Sequence, residues 1–310
     1  MATVTLPKFP ASEKKSNPWI SSLLSLMAYI LVATIFINDI KIALILVLIL
    51  LIHEAGHYLA MRYFRYHETG IFFIPLLGAF VSGSKRIISQ QESAIIILAG
   101  PLPGILLGLS LSMLNKTLGL ESTVSATLDW SAMALILLNG LNLLPLYPLD
   151  GGQLLNRVFL DEESTLGRVF VFISALLIAA LALLIQFYAL LLFPLLLLWR
   201  SQKDRSLKKV EAKLKEAGIN TDIDYEDLPD EDYWKIRTLL IENHPRFASV
   251  DPATDSYDEK EASIQIMIVS LLDRRLMMDL SLPKKLMIAT LWMAALFLTV
   301  LFGFLSWRGN

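Results

Sequence analysis

The chain has 310 residues, 55% of them hydrophobic and 18% charged, with a formal net charge of -2. Soluble domains carry about 25% charged residues, so the apolar excess excludes an ordinary soluble globule, and the balanced charge gives no reason to propose nucleic acid as a partner. Cysteine is absent, which rules out disulfides, thiolate nucleophiles and cysteine-held zinc.

In chain order, apolar runs occupy about 18 to 37, 42 to 64, 93 to 114, 126 to 146, 168 to 199 and 286 to 307. A hydrocarbon core about 30 Å thick takes roughly 20 apolar residues in a helix, so each run is a candidate span. Lys8, Lys14 and Lys15 precede the first. That run lacks a small-residue cleavage signature and further spans follow it, so it reads as a membrane helix and not as a removed signal peptide. The fifth run would reach about 48 Å as one helix, and a turn near Gln186 and Phe187 would divide it in two.

Charge supports the division, because cytoplasmic loops collect Lys and Arg. With the N-terminus inside, the inner segments hold Lys14, Lys15, Arg62, Arg65, Lys85, Arg86, Arg157 and Arg168, and dividing the fifth run adds the stretch from Arg200 to Lys209. The outer loops hold only Lys41 and Lys116. The expectation is an all-α polytopic membrane protein of about seven transmembrane helices. A cytoplasmic tail at 1-17 precedes a transmembrane core of six spans at 18-199. A small, mainly helical cytoplasmic domain follows at 200-285, and a last helix at 286-310 ends on the opposite side.

Residues 69 to 84, TGIFFIPLLGAFVSGS, are too short and too interrupted by Gly and Pro to cross. They predict a re-entrant β-hairpin, which survives at membrane depth only when protein or a wet cavity covers it.

Inside the second run sits LLIHEAGHYLA. His53 and His57 are four residues apart, hence on one helix face, with Glu54 adjacent. Two such imidazoles can take one metal ion, and a neighbouring glutamate can accept a proton from water and pass it to a leaving amine. Ionisable side chains within a span are costly and usually mark function. Packing residues bonded to backbone carbonyls are the plainer reading of the two histidines, but it leaves Glu54 without a reason to be there. For a third ligand the chain offers few groups. His67 lies in a polar loop and His244 in the polar segment, both read as ordinary surface or loop histidines. Asp150 follows the fourth run in NGLNLLPLYPLDGGQLLNR, where Pro145 and Pro148 stop the helix and Gly151 and Gly152 permit tight turns. From position alone, it serves equally as a plain loop aspartate. Asn139 and Asn142 place two more amides at the same depth, where such groups need partners.

HEAGH together with Asn142, Pro145, Leu149, Asp150 and Gly151 resembles the paired signatures HExxH and NxxPxxxLDG of the site-2 protease family, in the same order. The resemblance covers about residues 42 to 160. It implies an intramembrane zinc metalloprotease in which His53, His57 and Asp150 hold Zn2+, Glu54 is the catalytic acid and base, and Asn142 and Pro145 shape the substrate site. It also implies single-span membrane proteins as substrates and the lipid bilayer as surroundings. The segment 69 to 84 and the AGP at 99 to 101 look like that family too. The PDZ or CBS modules that many members carry are not recognisable in the polar segment. Gly70, Pro75, Gly78, Pro101 and Pro103 fit a water cavity beside the site, or equally plain helix and turn punctuation. The competing expectation is a catalytically silent membrane scaffold or metal-binding protein of the same fold.

Overall fold

Among the described residues of the computed structural model, six helical segments are long and apolar enough to cross a membrane: Trp19–Phe36, Ile40–Tyr63, Gln90–Leu118, Ser122–Asn142, Thr165–Leu184 and Leu282–Ser306. The structure describes residues 6–10, 18–75, 77–85, 87–118, 120–162, 164–252, 256–272 and 275–308, without side chains at 18, 198–206, 208, 275–276 and 307–308. Lys14, Lys15 and Arg86 of the charge pattern therefore lie outside the described residues.

The first helix, α1 (Pro18–Phe36), is followed by α2 (Ile40–Tyr63) after three residues. Asp39 caps α2, its carboxylate accepting from the N–H groups of Lys41 and Ile42 at 2.8 and 3.3 Å, which satisfies two of the donors a helix start leaves open. One face of α2 buries Ala43, Val47, Ile49, His53, Glu54 and His57, while Leu44, Leu48 and Leu59 remain exposed. An apolar face turned outward suits a lipid solvent, which helices can enter because their backbone groups are already paired.

Past α2, Arg65 takes φ 61 and the chain enters a two-stranded antiparallel hairpin, β1 (His67–Ile74) and β2 (Gly78–Ser84). This is the hairpin that the Gly and Pro pattern predicts, with Gly78 at φ 110 after the turn. Phe72 and Phe80 pair across it and stack at 5.6 Å. On its far edge β1 is covered by α1: the Phe73 N–H donates to Ser25 Oγ at 3.2 Å, and Tyr29 packs on the Phe73 ring.

The third apolar segment is broken in the middle. Helix α3 (Gln90–Ala99) ends at Gly100 and α4 (Pro101–Leu118) begins on Pro101, whose missing N–H interrupts the helical ladder. Helix α4 packs along α5 (Ser122–Asn142), and Asn115 Nδ2 donates to the backbone oxygen and Oγ of Ser125, each at 3.0 Å. After α5 the chain runs irregularly through Pro145 and a cis Tyr147–Pro148 bond to α6 (Asp150–Leu154) and a π-helical stretch, Leu155–Leu160.

Helix α7 (Thr165–Leu184) ends in a turn where Gln186 has φ 57, which is where the sequence divides the fifth run. The second half differs from expectation in length. Its apolar part, Tyr188–Leu197, is a shorter helix of about 15 Å, half of a hydrocarbon core, because the turn itself consumes apolar residues. It continues into the polar part of α8 (Leu192–Glu216). The last helix, α11 (Leu282–Arg308), follows the polar segment.

Two compact units result, one comprising residues 17–194 and 276–310 and the other 1–16 and 195–275. The core of the second is Val210, Leu214, Tyr233, Ile236, Leu240, Phe247, Ile264 and Ile268 with their neighbours. It is built from the end of α8, from α9 (Asp230–Asn243) and from α10 (Glu261–Leu271). Arg237 and Glu261 are wholly buried there, Nε to Oε1 at 2.9 Å, and Tyr233 also donates to Glu261. Removing one partner of such a buried pair leaves an uncompensated charge.

Candidate metal centre

Helical spacing puts His53 and His57 one turn apart on the buried face of α2, and the turn after α5 brings Asp150, the first residue of α6, against them. The Nε2 atoms of the two histidines are 3.1 Å apart, and Asp150 Oδ2 lies 3.1 Å from His53 Nε2 and 3.3 Å from His57 Nε2. All three residues are buried.

Hydrogen bonds on the far side of each ring fix what these atoms are. His57 Nδ1 faces the backbone oxygen of Ile96 at 2.8 Å. A carbonyl only accepts, so this nitrogen carries the proton. His53 Nδ1 faces Asn139 Oδ1 at 2.8 Å, and Asn139 Nδ2 donates to Leu135 O at 2.7 Å, which turns the amide so that its oxygen accepts from the ring. In the neutral rings, both Nε2 atoms are then lone pairs. They converge on a carboxylate oxygen, and three acceptors with no proton between them repel one another unless a cation joins them. The donor set fits a metal ion: tetrahedral zinc with ligands about 2.0 to 2.1 Å away sets them about 3.3 Å apart, close to the separations found. Anchoring the other ring nitrogen is also how metal-binding histidines are held in their tautomer.

Glu54 is 4% exposed, and its Oε2 has no hydrogen-bond partner among the described residues. A buried carboxylate oxygen left open is costly, so this is a group held ready for a proton or a water.

The walls of the site are backbone. A Cβ on Gly100 would stand 2.3 Å from His57 Nε2, and one on Gly151 would stand 1.9 Å from the carbonyl oxygen of Leu143. Both approaches are closed to any side chain. The same Leu143 oxygen accepts from Trp292 Nε1 of α11 at 2.7 Å, and Trp292, Ile288 and Ala295 share a core cluster with Leu143 and Leu154. The last helix thus buttresses the loop that carries Asp150.

Of the residues singled out in the sequence, the structure brings together His53, His57 and Asp150, with Glu54 beside the two histidines on α2. Asn142 is half-buried with its Nδ2 on Leu138 O at 3.3 Å, and Pro145 is exposed in the turn that follows; neither joins the cluster. His67 is exposed at the start of β1. His244 is a loop histidine but a buried one, and its Nδ1 accepts from the Arg246 N–H to cap a short helical turn. The residue that sequence reasoning left without a role is Asn139, one helical turn before Asn142. A signal existed in the cost of a buried amide, but not in the motif.

A buried His–His–carboxylate cluster beside a glutamate, carried by helices of membrane-spanning length, is a possible metal site within an integral membrane protein. Residues 41–119 match Peptidase family M50. Over 148 residues the chain is 28% identical to Stage IV sporulation protein FB of Bacillus subtilis (strain 168). That alignment covers 46% of this chain and 50% of the relative, so the chain spans about half the length of the curated protein it matches. Among solved structures, the Site-2 Protease from Methanocaldococcus jannaschii aligns with 57% of this chain and 83% of its own, at 24% identity and a TM-score of 0.41. The matched segment, residues 41–119, is thus similar to a peptidase family and carries His53 and His57 of the possible metal site.

Proposed function

We propose that this protein is an intramembrane zinc metalloendopeptidase that hydrolyses peptide bonds in or near the transmembrane helices of single-span membrane proteins. The observation that carries the reading is the convergence of Asp150 Oδ2 on His53 Nε2 and His57 Nε2 at the buried face of a span-length helix, with a Glu54 oxygen next to them that has no partner among the described residues. Zinc in this donor set would polarise a scissile carbonyl and make water a stronger acid.

The chain's own residues supply the rest. Glu54 accepts the proton of the attacking water at Oε2 and returns it to the departing amine, one group serving both steps. Asn139 and the Ile96 carbonyl hold the imidazoles with their Nδ1 protons outward, so the Nε2 lone pairs keep their aim. The broken helix at Gly100 and Pro101 brings bare backbone against His57, leaving no side chain to compete with a substrate carbonyl. A helical substrate must unwind before its carbonyls are accessible, since they are otherwise bonded within the helix. The outer edge of β2 offers an unwound segment a strand to pair with, because α1 already covers the outer edge of β1. Asn142, at the end of α5, and Pro145, in the turn before Asp150, complete the substrate side of this reading. The loop charges support an orientation with the N-terminus and residues 200-285 cytoplasmic and the C-terminus opposite.

The experiment is to incubate the detergent-solubilised protein with a panel of single-span substrates and map the products by mass spectrometry. Cuts inside or at the border of the apolar segment, lost on chelation and restored by zinc, are the expected result. Near-stoichiometric zinc without any cut in any substrate would favour a silent metal-binding scaffold instead.

A further inference from the structure

Residues 6–10, Leu-Pro-Lys-Phe-Pro, lie in no helix or strand, yet aromatic side-chain tips of the second unit grip their backbone almost residue by residue. Trp234 Nε1 donates to Leu6 O at 2.7 Å, Tyr257 OH to Pro7 O at 2.6 Å and Tyr225 OH to Phe9 O at 2.6 Å. The Lys8 N–H donates to Asp230 Oδ1 at 2.8 Å. This is how extended proline-bearing peptides are read: prolines restrict the backbone beforehand, and an aromatic surface collects the unpaired carbonyls.

Side chains add selectivity. The Lys8 ammonium donates to the carbonyl oxygens of Glu226 and Leu228 at 2.5 and 2.8 Å and stands 5.7 Å from the Tyr225 ring centroid. Phe9 sits edge-on to Tyr257 at 5.2 Å and packs against the apolar core. Trp234 and Tyr257 are stacked, with interplanar angle 10°, and the Arg237 guanidinium lies 4.9 Å from the Trp234 ring. Burial, then the neighbouring acidic groups led by Glu261, push the Tyr225 hydroxyl well above the ordinary tyrosine range, so it remains a donor. Trp234 also walls an adjoining open groove of about 430 Å³ with Ala217, Ile219 and Leu239, so the gripping surface is longer than the five residues it holds.

We propose that the unit formed by residues 195–275 is a peptide-binding module for extended, proline-flanked segments carrying a Lys–aromatic pair, with Leu6–Pro10 as its ligand in cis. A segment of the same chemistry in a partner protein competes for the groove. Trp234, Tyr257, Tyr225 and Asp230 are its backbone-reading residues. This inference does not rest on the protease reading.

The test uses the full chain and a variant lacking only residues 2–10, with a fluorescent peptide of residues 4–12 as probe. Saturable binding to the deletion variant is expected. Affinity should be at least tenfold weaker for the full chain, whose own segment competes as an intramolecular ligand. It should also fall at least tenfold when the probe carries Lys8→Glu, and at least fivefold when the deletion variant carries Trp234→Phe with Tyr257→Phe. Binding no tighter than that of a scrambled peptide, or equal binding to both proteins, would overturn the proposal. Should the deletion variant fail to fold, trypsin cleavage after Lys8 in the full chain decides. Trp234→Phe with Tyr257→Phe should speed that cut at least tenfold without lowering the melting temperature of the domain by more than a few degrees, and unchanged cleavage would overturn the proposal.

Discussion

At the scale of single residues, the candidate centre is a problem of where protons are not. His53 and His57 each spend Nδ1–H on a fixed acceptor, which leaves three acceptor atoms facing one another, and the proposed function gives Asp150 the place of a third ligand. Asp150→Ala should therefore lower zinc in the purified protein from near one ion per chain to below about a tenth, measured by elemental analysis. His67→Ala should leave the metal unchanged. His244→Ala should leave it unchanged too while costing about 1 kcal/mol of stability, the usual worth of a cap. Full occupancy in Asp150→Ala would remove that residue from the ligand set. Asn139 makes a second prediction. Asn139→Leu deprives His53 Nδ1 of its acceptor, and partners of this kind are commonly worth 10- to 100-fold in metal affinity; Asn142→Leu should shift affinity by less than about threefold. Competition with a chromophoric chelator measures both, and equal losses would put the two asparagines on the same footing. The three clustered residues were legible in the sequence because helical spacing and a second motif single them out. Asn139 was not, because two asparagines three residues apart share a helix face, and only the packing of α5 against α2 shows which of the two turns lies level with His53.

At the scale of elements, the site depends on places where backbone stands in for side chains. The break between α3 and α4 is readable from Gly100 and Pro101 as a punctuated helix, but what it is for becomes visible only when Gly100 is seen against His57. Gly100→Ala places a methyl 2.3 Å from His57 Nε2. The neighbouring wall is helix backbone, so the imidazole must move. The variant should keep its helical circular dichroism while losing at least tenfold in zinc affinity. Wild-type affinity would mean that α3 and α2 yield more easily than their packing implies. The hairpin was also legible, since Gly and Pro inside an apolar stretch are incompatible with a span, whereas the hydrogen bond from Phe73 to Ser25 that occupies one of its edges leaves no trace in either segment's composition.

For the whole molecule, chain order and charge carry most of the information, and hydropathy locates the six span-length helices well because lipid imposes one length on all of them. The polar segment is the opposite case. Its core joins the end of α8 with α9 and α10 through side chains far apart in sequence, and nothing in its patterning announced that residues 6–10 would belong to it. The fifth run is where charge and length disagree. Its second half is half a membrane long, yet the charge of the basic stretch after it predicts an inner position. Charge should win, so in this cysteine-free chain Lys41→Cys and Glu216→Cys should be labelled by an impermeant thiol reagent from opposite sides of sealed vesicles. Labelling from the same side would mean that Tyr188–Leu197 turns back without crossing. Whether a metal centre buried in these helices cuts peptide bonds is decided by Glu54→Gln, assayed for zinc content and for cleavage on one preparation. Glutamine keeps the size of the side chain and removes the group that accepts a proton. Such groups are worth about 10² to 10⁴ in rate, so the variant should be a folded protein with its full complement of zinc that holds a substrate helix and cuts it at least 10²-fold more slowly. Cleavage at the wild-type rate with zinc bound would contradict that expectation.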